Sequence, residues 1–148
     1  AAPGTMDGGD VLVMGRTVFA GLSTRTNQEA IGQLQHHLAP HGYRIVVVQV
    51  IGGLRLKSAA TALGGGAVLM NSAWVPPGAF DAWERIEVDA SEPLAASVLS
   101  LNGVVVAAAA YPRTAARLLK AGFEVRHIEA DELAKAGGAV ACCSLIVG

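Results

Sequence analysis

Apolar residues along the chain fall into short groups that repeat one order of elements three times. Each group opens with two short apolar runs separated by a turn, continues with a segment of helical spacing and ends in a further apolar run. Strands are predicted within 11–21 and at 43–50, 58–63, 67–70, 85–88, 97–101, 104–109 and 123–128, and helical segments at 27–38, 77–83 and 113–120. The pattern predicts a ββαβ repeat.

Glycines support the repeat. Gly42 and Gly122 each follow a predicted helix and precede the last strand of their unit, and Asn102-Gly103 is a strong signal for a tight hairpin. A ββαβ unit covers one face of its sheet with its own helix and needs neighbours to cover the rest. We therefore predict an α/β fold, a single domain over 1–148 with units at about 5–52, 53–92 and 93–148. A simple α/β sandwich with accidental similarity between segments is the alternative.

Composition narrows the class of protein. Hydrophobic residues make up 52% and aromatic residues 5%, with 18 glycines, which favours many short, tightly packed elements. A net charge of −1 does not favour a broad surface for nucleic acid or anionic membrane. The longest apolar runs are too short to cross a bilayer, and no signal peptide is visible. Cys142 and Cys143 are adjacent and could bridge only through a strained ring, so we expect a reducing, cytoplasmic setting.

Cys142 is the first candidate for chemistry. It follows a run of glycine, alanine and valine, which leaves room for a substrate against the thiol. A nucleophilic cysteine needs a cation, a helix N-terminus or a histidine beside it. The alternative is a buried small hydrophobic residue, which is the more common role for a cysteine with apolar neighbours.

Acidic and basic residues around the first predicted hairpin are a second group. Asp7 and Asp10 flank a Gly-Gly turn, where they could line a pocket for a cationic substrate or cap the turn. Thr26 or Asn27 is a natural N-cap for the first helix. Arg25 lies in the same predicted loop and could bind a substrate carboxylate through two parallel hydrogen bonds.

Two further polar segments are candidates for chemistry. Arg55 and Lys57 alternate with leucines and are predicted on one face of a strand, which could equally be a solvated face. His37 and His41 have a metal-ligand spacing, but Pro40 lies between them and should end the helix. We predict no metal site and no cofactor. The glycines at 64–66 are predicted to form a hairpin turn rather than a phosphate-binding loop.

Four stretches together resemble the dimethylarginine dimethylaminohydrolase family, in order and spacing. They are 4–12, 21–28, 53–58 and 142–144, so the resemblance covers essentially the whole chain. The resemblance implies a five-bladed α/β-propeller of the pentein type, of which this chain would supply about three blades from the carboxyl-terminal part. It also implies hydrolysis of a small-molecule guanidine, a methylated arginine, to citrulline and a methylamine.

The resemblance also implies roles for individual residues. Cys142 would attack the guanidinium carbon and form a covalent thiouronium intermediate that water then hydrolyses. Arg25 matches the arginine that binds the substrate's α-carboxylate, and the backbone near Ala136 would approach the amino-acid end. Further residues implied to line or support the site are Asp10, Lys57 and Ser58.

Two departures from the family pattern leave several functions open. Arg55 occupies the position of the family's general acid/base histidine, and an arginine cannot exchange protons at neutral pH. The acids that hold the guanidinium belong to the family's amino-terminal part. The chain is therefore expected to be such a hydrolase or a piece of one, a non-catalytic binding relative, or an arginine deiminase- or amidinotransferase-like enzyme. Open sheet edges predict a homo-oligomer or association with the missing blades, which a clean monomer in light scattering would contradict.

Overall fold

The chain forms three small sheets in sequence order. A computed structural model describes residues 1–130, 139–142 and 144. The strands are β1 Val11–Met14, β2 Thr17–Leu22 and β3 Arg44–Gln49; β4 Ala60–Gly64, β5 Ala67–Met70 and β6 Glu84–Glu87; and β7 Leu99–Leu101, β8 Val104–Ala108 and β9 Glu124–Ile128. The α-helices are α1 Gln28–Leu38, α2 Leu56–Ala59 and α3 Pro112–Lys120, with 3-10 turns at Gly8–Asp10, Ala39–His41 and Pro77–Phe80.

All three sheets have the same topology. The first two strands are antiparallel, and the third is parallel to the second, which lies in the centre. A parallel neighbour requires a crossover connection. The crossovers contain α1 in the first unit, a 3-10 turn in the second and α3 in the third. The predicted α/β class is confirmed, and the three units are consistent with a ββαβ repeat. The helical segment predicted at 77–83 is instead a 3-10 turn, Pro77–Phe80, because the connection there is short and begins with a proline. The boundaries of the units stay predictions.

Several turns form as their sequences predict. Asn102 and Gly103 have φ values of 50° and 82°, which suit a tight hairpin between β7 and β8. Gly42 and Gly122, with φ of 75° and 92°, each follow a helical segment and precede the strand parallel to the centre of the sheet. A left-handed residue at the end of a helix is most easily a glycine.

Two hydrophobic cores lie on opposite sides of the second sheet. On β5, Val68 and Met70 belong to the core shared with the first unit, whereas Ala67 and Leu69 belong to the core shared with the third. Successive side chains of a strand point to opposite faces, so β5 supplies both cores alternately. The first strands of the units are neighbours, since β4 contacts both β1 and β7. In the described part of the chain, each helix is too short or too polar to cross a bilayer.

The segment around Arg55 differs from its prediction. Arg55 and Lys57 were predicted on one face of a strand, but Arg55 is the N-cap of α2 and Lys57 lies within that helix. The strand begins only at Ala60. The backbone N–H of Leu56, in the first turn of α2, donates to Asp10 Oδ1 at 2.8 Å. The hydrogen-bond acceptor at this helix N-terminus is therefore distant in sequence. The alternation of leucine and basic residues around Arg55 does not predict it.

Candidate active site

Four segments of the chain bring charged groups and a thiol together. The turn before β1 supplies Asp7, the loop between β2 and α1 supplies Arg25, and the N-terminus of α2 supplies Arg55. Helix α2 packs against both the turn and β1. Cys142 supplies the thiol, which contacts Arg55. Arg25 and Arg55 both pair with Asp7, and Arg55 also contacts Cys142. The three residues predicted from the sequence therefore form one connected group.

The carboxylate of Asp7 joins the two arginines. Its Oδ2 accepts from Arg25 Nη1 at 3.2 Å and from Arg55 Nε at 3.0 Å, and its Oδ1 accepts from the Gly9 N–H at 2.8 Å. A Cβ at Gly9 would lie 2.2 Å from Arg55 Cδ, so only a glycine lets the Arg55 side chain pass this closely. Asp7, one of the two acids of the Asp-Gly-Gly-Asp turn, thus bridges Arg25 and Arg55, which its position in the turn did not predict.

Hydrogen bonds and the positive charge of its neighbours keep the carboxylate of Asp7 ionised. The Gly9 N–H, followed by Arg25 and Arg55, lowers the pKa of Asp7 against the opposing effect of partial burial. Partial burial opposes the charge of Arg55, but Asp7 and Cys142 raise the pKa of its guanidinium further above its ordinary value. Arg55 is accordingly a permanent cation.

Arg55 is in contact with the thiol. Its Nη1 donates to Cys142 Sγ at 3.7 Å, and Cys142 is exposed. A fixed cation beside a sulfur stabilises negative charge there, and the thiolate is the nucleophilic form of cysteine. The contact satisfies one of the conditions for nucleophilic chemistry at Cys142.

Asp10 lies behind this cluster and is completely buried. Its Oδ2 accepts from the hydroxyls of Ser23 and Thr26, both at 2.7 Å, and its Oδ1 accepts from the Leu56 N–H. Asp10 therefore connects the loop that carries Arg25 with the helix that follows Arg55. The N-cap of α1 is Asn27, whose side chain accepts from the Ala30 N–H.

The remaining predicted site residues lie elsewhere. Ser58 lines one cavity with Leu54 and Val140, and Lys57 lines a second with Leu12. The two positions on α2 thus face different spaces. Ala136 falls outside the described residues, so its predicted contact with the amino-acid end of a substrate stays a prediction.

Asp7→Asn should destabilise the protein at neutral pH but not in strong acid. The pKa of Asp7 is lower in the folded protein than its ordinary value of 3.8. Its contribution is therefore complete above about pH 4 and is lost as the pH falls through the lowered pKa. Urea unfolding of the two proteins at a series of pH values should show a difference that shrinks below pH 4. A difference that stays constant down to about pH 2 would contradict the assignment of this stability to the ionised carboxylate, which the Gly9 N–H and the two arginines stabilise.

Comparison with known proteins finds relatives that are similar to this chain along nearly all of its length. The family model described as arginine deiminase matches residues 1–54. An N(G),N(G)-dimethylarginine dimethylaminohydrolase from Pseudomonas aeruginosa is 33% identical over 97% of this chain and 57% of its own length. One from Streptomyces coelicolor is 37% identical over 97% of this chain and 55% of its own length. The chain thus spans little more than half the length of these relatives.

Solved structures show the same similarity. A cysteine-to-serine mutant of the Pseudomonas aeruginosa enzyme, in complex with citrulline, superposes with a TM-score of 0.88 at 31% identity, covering 98% of this chain and 57% of that one. A dimethylarginine dimethylaminohydrolase adduct with S-methyl-L-thiocitrulline, formed by a histidine-to-glycine variant, gives a TM-score of 0.89 at 32% identity, with the same coverage. An amidinotransferase from Microseira wollei shares the fold, with a TM-score of 0.84 at 22% identity over 94% of this chain and 46% of its own.

Proposed function

Because the chain belongs to the dimethylarginine dimethylaminohydrolase family of the amidinotransferase superfamily, we propose that it supplies Cys142 as the nucleophile for hydrolysis of a methylated arginine. The observation that carries this proposal is the 3.7 Å contact from Arg55 Nη1 to Cys142 Sγ. The contact gives the thiol the cationic neighbour that nucleophilic attack needs. Arg25 is the proposed partner of the substrate's α-carboxylate, which would exchange with Asp7 on this guanidinium.

The proposed reaction has two covalent steps at Cys142. The thiolate attacks the central guanidinium carbon, and the bond from that carbon to the methylated nitrogen breaks as the departing amine takes up one proton. The thiouronium left on the sulfur is attacked by water, the carbon–sulfur bond breaks, and citrulline and the thiolate are released with two protons. Because one proton is taken up in the first step and two are released in the second, one proton is left over. It protonates the released amine to an ammonium ion.

Arg55 acts on these two steps differently. Its positive charge stabilises the attacking thiolate, but a guanidinium is always protonated and cannot carry the protons that the steps exchange. We therefore propose that attack is supported in this chain and that proton transfer limits turnover. Protons would have to move through water or a group outside the described residues.

A probe that needs no proton donor tests the attack by itself. We expect S-methyl-L-thiocitrulline to modify the intact native protein at Cys142, because methanethiol leaves more readily than an amine. Intact-mass and peptide mass spectrometry should find one adduct, which Cys142→Ser abolishes and Arg55→Gln slows. If Cys142 remains unmodified by the probe while iodoacetamide still alkylates it, the nucleophile proposal fails.

A second candidate function is binding without catalysis. It is favoured by the charge of the described site, where two arginines share the single carboxylate of Asp7 and would repel a guanidinium. An arginine deiminase-like activity is supported by the family model over residues 1–54. Association that covers the open sheet edges and a cytoplasmic location stay predictions.

A further inference from the structure

The loop between β3 and α2 reaches Arg55 with large apolar side chains in solvent. Ile51 is 73% exposed and Leu54 is 51% exposed. The N–H groups of Gly53 and Leu54 donate to no described residue. Exposed side chains and unpaired N–H groups fix a loop only weakly. The position of the Arg55 backbone therefore depends on the group that holds the loop just before these residues.

Trp74, in the turn after β5, is that group. Its carbonyl oxygen accepts from the Ile51 N–H at 2.8 Å and from the Gly52 N–H at 3.5 Å. Its indole ring lies against Gly52, where a Cβ would come within 2.3 Å of Trp74 Cδ1. Gly52 does not have a positive φ, so the approach of the ring, rather than the backbone conformation, requires a glycine there.

Trp74 is itself fixed to the far end of α2. Its N–H donates to the Asn71 carbonyl at 3.0 Å, and the Asn71 N–H donates to the carbonyl of Ala59, the last residue of α2, at 2.8 Å. Asn71 is buried, and the indole of Trp74 packs against the core shared by the first two units. Trp74 therefore connects the end of α2 with the loop that enters it.

We infer that Trp74 is a positioning residue, which holds Arg55 where its guanidinium contacts the thiol of Cys142. The inference deepens the proposed function, since it rests on the contact from Arg55 Nη1 to Cys142 Sγ. Asp7 holds the guanidinium through Nε, but it cannot fix the backbone from which the side chain extends. A loop that leaves Trp74 would move the cation away from the sulfur and weaken its effect there.

The rate at which iodoacetamide alkylates Cys142 at pH 7 tests this role in the intact native protein. Trp74→Ala should slow alkylation about threefold to tenfold by releasing the loop. Trp74→Phe keeps a ring against Gly52 and should restore most of the rate. Trp83→Ala is the matched control, because Trp83 packs on Phe19 beside the same core, with ring centroids 5.1 Å apart, and its loss should leave the rate unchanged.

Two combinations show whether the effect passes through the loop and through Arg55. Gly52→Ala should slow alkylation as Trp74→Ala does, and it should add little to Trp74→Ala because the ring that its methyl group meets is then absent. In an Arg55→Gln background, Trp74→Ala should cause no further slowing. Equal slowing by Trp74→Ala with and without Arg55 would overturn the inference, as would an unchanged rate in Trp74→Ala alone.

A second measurement separates this inference from the proposed function. The Arg55 Nε–H donates to Asp7, and its NMR signal is assigned by its loss in Arg55→Gln. Trp74→Ala should speed its hydrogen exchange about tenfold, and unchanged exchange would overturn the inference. If Arg55→Gln alkylates at the parent rate, the role of Arg55 at the thiol fails and the exchange rate alone decides the positioning role. Thermal melting checks folding, and Gly52→Ala provides the test if Trp74→Ala does not fold.

Discussion

An Arg55→His variant of the intact native protein should release citrulline from dimethylarginine about 100-fold faster than the parent protein. A positioned general acid/base contributes roughly 10²- to 10⁴-fold to catalysis, and histidine can exchange a proton near neutral pH. The carboxylate of Asp7 accepts a hydrogen bond from Arg55 in the present structure and is placed to orient an imidazole at the same position. The measurement is the initial rate of citrulline formation at saturating substrate.

Two controls separate proton transfer from a change of charge. Arg55→Gln removes the cation without supplying an acid or base, so it should give no increase in the rate. Arg55→His combined with Cys142→Ser should be inactive if Cys142 is the nucleophile. An Arg55→His protein that is folded, forms the S-methyl-L-thiocitrulline adduct and still turns over no faster than its parent would contradict the role assigned to residue 55.

Asp10→Ala should lower the free energy of unfolding by about 3–5 kcal/mol. Asp10 is completely buried, and its carboxylate accepts from two hydroxyls and from the Leu56 N–H. The substitution leaves these three donors without their acceptor, and it also removes the group that satisfies the first turn of α2. Urea unfolding at neutral pH measures the loss.

A matched control uses an acid on the surface. Asp81 pairs with Arg85 at 2.7 Å, but its side chain is 69% exposed, so Asp81→Ala should change stability by less than about 1 kcal/mol. Asp10→Asn keeps one acceptor oxygen, so its loss of stability should lie between those of Asp81→Ala and Asp10→Ala. A loss of less than about 1 kcal/mol for Asp10→Ala would mean that the three donors find other partners.

Elements with local signals could be predicted from the sequence. Helix α1 has an N-cap at Asn27, a 3.6-residue apolar spacing and a proline after its end, and it forms as predicted. The Asn102-Gly103 hairpin needs only the two residues that adopt positive φ. Helix α2 could not be predicted, because the acceptor for its Leu56 N–H is Asp10, 46 residues earlier.

The candidate site could likewise be predicted only in part, because its contacts join residues that are distant in sequence. Resemblance to a family pointed to Arg25, Arg55 and Cys142, and the structure joins them through contacts that span 18 and 48 residues to Asp7 and 87 residues between Arg55 and Cys142. The Asp-Gly-Gly-Asp turn suggested that acids could line a pocket. It did not show that Asp7 bridges two arginines while Asp10 is buried behind them, because that distinction depends on how α2 packs.

The alternating burial of β5 constrains how proteins of this architecture can evolve. Its odd and even positions belong to different cores, so removal of a unit on either side exposes half of the strand's side chains to water. A single ββαβ unit is therefore not a module that recombination can transfer alone. Gain or loss of a unit must be accompanied by new cover for the face that it leaves open, which favours closure of such repeats into rings.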